Sequence, residues 1–145
     1  MFHELHVVLI GILIGFTLID LAFDLECFNK NFQNPLQFYT LREKHRPLNR
    51  FLTLQLPLVA LILFTVGAVI QKPILSNMIA MVLIVAANFC GNVVINQRKK
   101  IVEILSRKVE KDPESDPGVQ GLLTTICLAH LAMLPLLSVG FYLGA

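Results

Sequence analysis

Four stretches of about twenty mostly apolar residues set the limits on what this chain can become: residues 5–25, 51–70, 74–95 and 117–143. A bilayer core about 30 Å thick is crossed by ~20 helical residues, so each stretch is long enough to span it. Hydrocarbon offers no partner for backbone N–H and C=O groups, which leaves the α-helix as the solution available to each segment alone. Composition points the same way. Charged residues are 15% of the chain against about 25% in soluble domains, and mean hydropathy is +0.69. Those values exclude a disordered chain. A net charge of +2 gives no footing for nucleic acid. The three cysteines, Cys27, Cys90 and Cys127, have neither metal-ligand nor redox spacing, and Cys90 and Cys127 read as small buried hydrophobes.

The first stretch reads as a retained helix. Its leader, MFHELH, has no Lys or Arg, and no small-residue cleavage pattern follows. Gln71-Lys72-Pro73 allows only a tight turn, so the second and third helices should form an antiparallel hairpin. Orientation follows from Lys and Arg alone. Eleven of the twelve lie in the two long connecting segments, five between residues 30 and 50 and six between 98 and 111, and the hairpin turn holds Lys72. Both long segments are therefore expected in the cytoplasm and both termini outside.

The third helix is expected to run past the membrane to residue 111. Ile101, Leu105 and Val109 recur at four-residue spacing, and Glu103 and Arg107 form a favourable i, i+4 pair. Asp116-Pro117 reads as N-cap and first position of the last helix. Residues 28–50 mix aromatic and basic side chains and read as an interfacial loop against anionic lipid. The expected fold is all-α: an integral membrane four-helix bundle, up-down-up-down, termini outside, with an amphipathic cytoplasmic extension of helix three. It forms a single domain over residues 1–145.

Polar residues inside such a bundle mark helix contacts or wet cavities. Asn88, Asn92 and Asn96 recur every four residues, with Asn77 near the same face. Thr17, Asp20 and Asp24 share a face of the first helix, the second offers Gln55, and the last carries Thr124, Cys127 and His130. Asn77 apart, these fall toward the cytoplasmic half, with His130 near the middle of its helix, which predicts a pocket sealed outside and open inside. Asp24 reads as solvated at the headgroups. Pro135, one turn beyond His130, would free a backbone carbonyl for the same site. Gly11-x-x-x-Gly15 reads as a close intramolecular packing point, while Gly140-x-x-x-Gly144 carries little weight. No phosphate loop, zinc-protease or nucleophile-elbow motif occurs, and no metal or cofactor is expected. His3, Glu4 and His6 read as an exposed terminus.

The four-helix plan, Gly11-x-x-x-Gly15 and the segment Asn92-Val-Val-Ile-Asn96-Gln-Arg before a basic helix resemble the anthrone oxygenase-like family of small membrane proteins. Val94 stands where that family tends to carry proline. The resemblance implies oxidation of a flat aromatic substrate without metal or flavin. On that reading His130 is the general base and Asp20 orients it. Asn88, Asn92, Asn96, Gln55 and Thr124 bind substrate, and Asn92 and Asn88 stabilise its enolate oxygen. A non-catalytic reading stands beside it: an accessory subunit that packs apolar faces on larger membrane partners and docks soluble protein or lipid through its basic segments.

Overall fold

A computed structural model describes residues 2–44, 75–107 and 112–144, together with Gln55, Leu58, Val59, Ile62 and Val66. Among them are four α-helices: α1 (Phe2–Asp24), α2 (Gln33–Lys44), α3 (Leu75–Arg107) and α4 (Pro117–Gly144). Short 3-10 turns follow α1 at Leu25–Asn29 and precede α4 at Pro113–Ser115. The spans Val7–Asn29, Met78–Ser106 and Pro117–Leu143 are long and apolar enough to cross a membrane, consistent with an integral membrane protein. The span expected over 51–70 lies almost wholly outside the described residues, as does the stretch 108–111.

The three long helices meet along seams of alternating three- and four-residue spacing, the 3.5-residue repeat that keeps one face toward a partner. On α3 the buried residues are Ala80, Ile84, Ala87, Val94, Arg98 and Ile101, with Gly91 filling the missing register. On α4 they include Val119, Leu123, Ile126, His130 and Leu137. On α1 they are Ile10, Leu13, Thr17, Asp20 and Asp24, continued by Cys27 in the following turn. α4 packs against both α1 and α3, most extensively against α3. Ile101 meets Val119 at one end of that pair, while Gly140 lies against Ala80 and Ile84 at the other, so the two run antiparallel. The opposite stripe of α3, with Met78, Val82, Val85 and Phe89, is exposed, as a lipid-facing surface would be. At ~1.5 Å per residue, the 33 residues of α3 extend about 50 Å, well beyond a bilayer core.

Two sequence expectations concern this architecture. Residues 33–44 form a helix rather than an interfacial loop. The chain reverses at Lys30, whose φ of 58° lies in the left-handed region. The Asn31 and Asn34 side chains then each donate to Glu26 Oε2 at 2.7 Å, tying the start of α2 to the end of α1. Leu36 and Tyr39 on the inner face of α2 join the core formed with Val94, Ile101, Val119 and Leu123. Phe38 stacks on Phe23 with centroids 4.2 Å apart. The second point concerns glycine. Among the described residues, a Cβ on Gly11 or Gly15 would meet nothing within 4 Å, so no close approach at either is seen there. A Cβ on Gly140 would lie 3.3 Å from Ile84 and 3.5 Å from the Ala80 carbonyl.

These contacts stack as layers. Ile10, Ala80 and Ile84 pack with Phe141 and Leu143 at one end, followed by Leu13, Ala87 and Leu137. The Leu36–Tyr39–Val94–Leu123 core closes the other end. The polar residues of the seams lie between.

Candidate functional site

The polar layer draws one or more side chains from each of the four helices. α1 supplies Asp20 and Asp24, one turn apart on its seam, and both are buried, Asp24 with no exposure at all. α4 supplies His130, 2% exposed. α2 brings Tyr39 and Arg42, and α3 brings Arg98, also buried. Charged groups removed from water to this extent persist only when paired and hydrogen-bonded.

The pairing centres on the imidazole. His130 Nδ1 lies 2.6 Å from Asp24 Oδ2, and Nε2 lies 3.5 Å from Asp20 Oδ2. The Tyr39 hydroxyl donates to the other Asp24 oxygen at 2.7 Å. The Arg42 guanidinium is hydrogen-bonded to Asp20 Oδ1. Arg98 extends over the Tyr39 ring, 5.6 Å from its centroid, and Arg42 lies 5.7 Å from that of Phe38. Burial pushes the Tyr39 phenol well above its ordinary pKa of 10.0, and the charge of Asp24 adds to the effect. A carboxylate can only accept, so Asp24 holds a proton on Nδ1.

A cavity of about 70 Å³ opens beside this cluster. A water needs roughly 10–15 Å³ on this scale, so the space is that of several waters. Asp20, Arg42, Asn88, Arg98 and His130 form its polar wall, and Leu13, Phe16, Ile84, Met133 and Leu137 are among its apolar lining. Asp24 and Tyr39 are not among the lining residues. Nε2 is the ring nitrogen beside Asp20, which lines the cavity.

The residues expected from sequence divide into those brought together and those left apart. His130, Asp20 and Asn88 share the cavity wall. Asn92 and Asn96 are exposed, and the Asn92 amide donates to the Asn88 carbonyl at 3.1 Å within its own helix. The reason is geometric. A strict four-residue step drifts ~40° per repeat around an α-helix, so the amide row leaves the 3.5-residue seam after its first member. Thr124 is half-buried and donates to the Gln120 carbonyl at 2.8 Å, outside the cavity lining. Gln55 is exposed. The side chain of Asn77 lies outside the described residues. Pro135 is exposed, on the face of α4 away from the seam. Asp24 is not solvated: it is the best-enclosed carboxylate of the cluster, and it holds Nδ1 in the orienting place expected of Asp20.

Tyr39, Arg42 and Arg98 did not figure among the expected site residues. Arg98 carries a readable signal, since it falls four residues after Val94 and three before Ile101 on the α3 seam. Tyr39 and Arg42 share a three-residue step with Leu36 on one face, but that signal means nothing until α2 is known to be a helix. Compared with protein-family models, curated proteins and solved structures, the chain matches none of them.

Proposed function

We propose that this protein is an intramembrane enzyme in which His130 serves as general base toward a hydrophobic substrate held in the cavity. The observation that carries this is the 2.6 Å contact between His130 Nδ1 and Asp24 Oδ2, with the other ring nitrogen beside Asp20 of the cavity wall. A carboxylate at Nδ1 fixes the tautomer and stabilises the imidazolium once Nε2 has taken a proton. Asp20, locked by Arg42, stands beside Nε2 and adds to that stabilisation. Asn88 and the two guanidiniums at the cavity wall are donors for an oxygen that becomes negative as the proton leaves.

The substrate class is that suggested by resemblance to the anthrone oxygenase-like proteins: a flat aromatic ketone with an acidic methylene. His130 removes one methylene proton and leaves an enolate. Dioxygen, the co-reactant, takes up the electrons and forms the new C–O bond. One oxygen atom stays as the product carbonyl and the other leaves as water with the two methylene hydrogens. The basic segments lie in the cytoplasm and both termini outside, so the cavity is reached from the inner side of the membrane.

Protein in lipid nanodiscs supplied with anthrone should consume dioxygen faster than protein-free nanodiscs. Loss of a positioned base costs roughly 100-fold or more, so His130→Gln should fall to the protein-free rate and Asp24→Asn should approach it. An undiminished rate in His130→Gln would remove the base from the mechanism.

A further inference from the structure

The polar members of the cavity wall are Thr17, Asp20, Arg42, Asn88, Arg98 and His130. All but one are engaged within the protein. Thr17 spends its hydroxyl proton on the Leu13 carbonyl at 2.8 Å. Asp20 and Arg42 hold each other. His130 is held by Asp24 at one ring nitrogen and stands beside Asp20 at the other. Arg98 lies over the Tyr39 ring and has a further interaction partner. Asn88 differs. It is its backbone carbonyl, not its side chain, that receives the Asn92 amide. Among the described residues the Asn88 side-chain amide has no hydrogen-bond partner. An amide left open on a cavity wall offers N–H donors and a carbonyl acceptor to whatever enters.

The surroundings make that amide decisive. Asn88 is half-buried and follows Ala87, which also lines the cavity. Gly91, three residues on, keeps the wall low: the nearest atom to a Cβ built there is Met133 Sδ, at 3.8 Å. Leu13, Phe16, Ile84 and Leu137 supply apolar lining. A wholly apolar molecule in this space would strip water from the amide and leave it unpaired, whereas one with a hydroxyl or carbonyl at that point would not. A site with a hydrogen-bonding group to satisfy rejects the analogue that lacks the partner. We propose that Asn88 is the specificity-determining residue of the cavity. It selects lipid-soluble molecules carrying a neutral oxygen, which accepts from Asn88 Nδ2 and, where it is a hydroxyl, donates to Oδ1. This deepens the reading of the cavity as a substrate site and rests on it for the place of binding alone.

The test compares 2-naphthol with 2-methylnaphthalene, which has the same rings and a methyl group in place of the hydroxyl. Protein in zwitterionic nanodiscs is titrated with each by fluorescence; the chain contains no tryptophan, so the naphthalene signal is unobscured. Affinities are taken relative to each probe's partition into protein-free nanodiscs. 2-Naphthol should bind roughly two- to tenfold more tightly, the difference expected of one net hydrogen bond. Asn88→Leu and the smaller Asn88→Ala should each erase that preference while still binding 2-methylnaphthalene, which shows that the cavity is intact. Asn92→Leu, one turn on and outside the cavity lining, should keep it. Equal binding of the two probes, a preference that survives both Asn88 variants, or one lost in Asn92→Leu and kept in Asn88→Leu overturns the proposal. The two readings fail separately. Anthrone oxidation lost in His130→Gln with no preference for 2-naphthol leaves the base and removes the selecting amide. A preference that depends on Asn88 with no anthrone oxidation does the reverse.

Discussion

Asp24 has no exposure to water, so its two oxygens depend wholly on what the protein provides, the Tyr39 hydroxyl on one and the His130 ring on the other. Removing either partner leaves a buried acceptor unsatisfied, at about 1–3 kcal/mol. Tyr39→Phe should therefore lower thermal stability by an amount in that range. It should also change the alkaline limb. The folded state holds the Tyr39 phenol above its ordinary pKa of 10.0, so below that pH the group is protonated in both states and contributes no slope. Above it the unfolded chain ionises first, and stability falls as pH rises, by up to ~1.4 kcal/mol per pH unit for one proton. Melting curves from pH 8 to pH 11 should show that part of the slope missing in Tyr39→Phe. Identical slopes in the two proteins would mean that Tyr39 titrates normally.

At the scale of elements, the seams of α1, α3 and α4 were present in the sequence as alternating three- and four-residue steps, and they place Asp20, Asp24, Arg98 and His130 in one layer. The amide row of α3 was just as visible but misleading, because regular four-residue spacing resembles a helix face while drifting off the seam. α2 was obscured by its composition. Its residues are mostly polar, and Pro35 reads as a breaker unless it is recognised as a first-turn proline. The Arg42–Asp20 and Tyr39–Asp24 pairs arise only when the reversal at Lys30 folds α2 back, and no local pattern encodes that tertiary step. Glycine makes the packing testable. Gly140→Val pushes a branched side chain against Ile84 and the Ala80 carbonyl and should cost about 1–3 kcal/mol. Gly121→Ala has open space around its new methyl and should gain roughly 0.5–1 kcal/mol from helix propensity. Thermal unfolding in detergent should order them Gly121→Ala, wild type, Gly140→Val. Equal melting of the two variants would mean that α3 and α4 do not approach at Gly140.

For the whole molecule, the charge distribution yields a test that does not depend on any activity. Three apolar helices fit an integral membrane protein, and the eleven-to-one cation split predicts a cytoplasmic position for residues 98–111. In intact cells, with the native cysteines replaced, an impermeant thiol reagent should label Leu143→Cys and leave Ser106→Cys unmodified until the membrane is opened. The reverse pattern would invert the molecule and move the entrance of the cavity to the other face. A reagent that reached both sites in sealed cells would rule out a single fixed orientation.

The order in which the polar layer's members leave the ribosome has its own consequence. Asp20 and Asp24 emerge with the first helix, and an aspartate costs up to about 2.5–3.5 kcal/mol on the insertion scale, the value at the bilayer centre. Arg42 follows within twenty-two residues of Asp20, whereas His130 arrives 106 residues after Asp24. Arg42 is thus the counter-charge at hand during synthesis, and α2 serves as an early escort for acids whose permanent partner on α4 has yet to be translated. A nascent chain halted before α4 would hold Asp24 without its imidazole, a buried acid that membrane quality control can recognise as the mark of an unfinished protein.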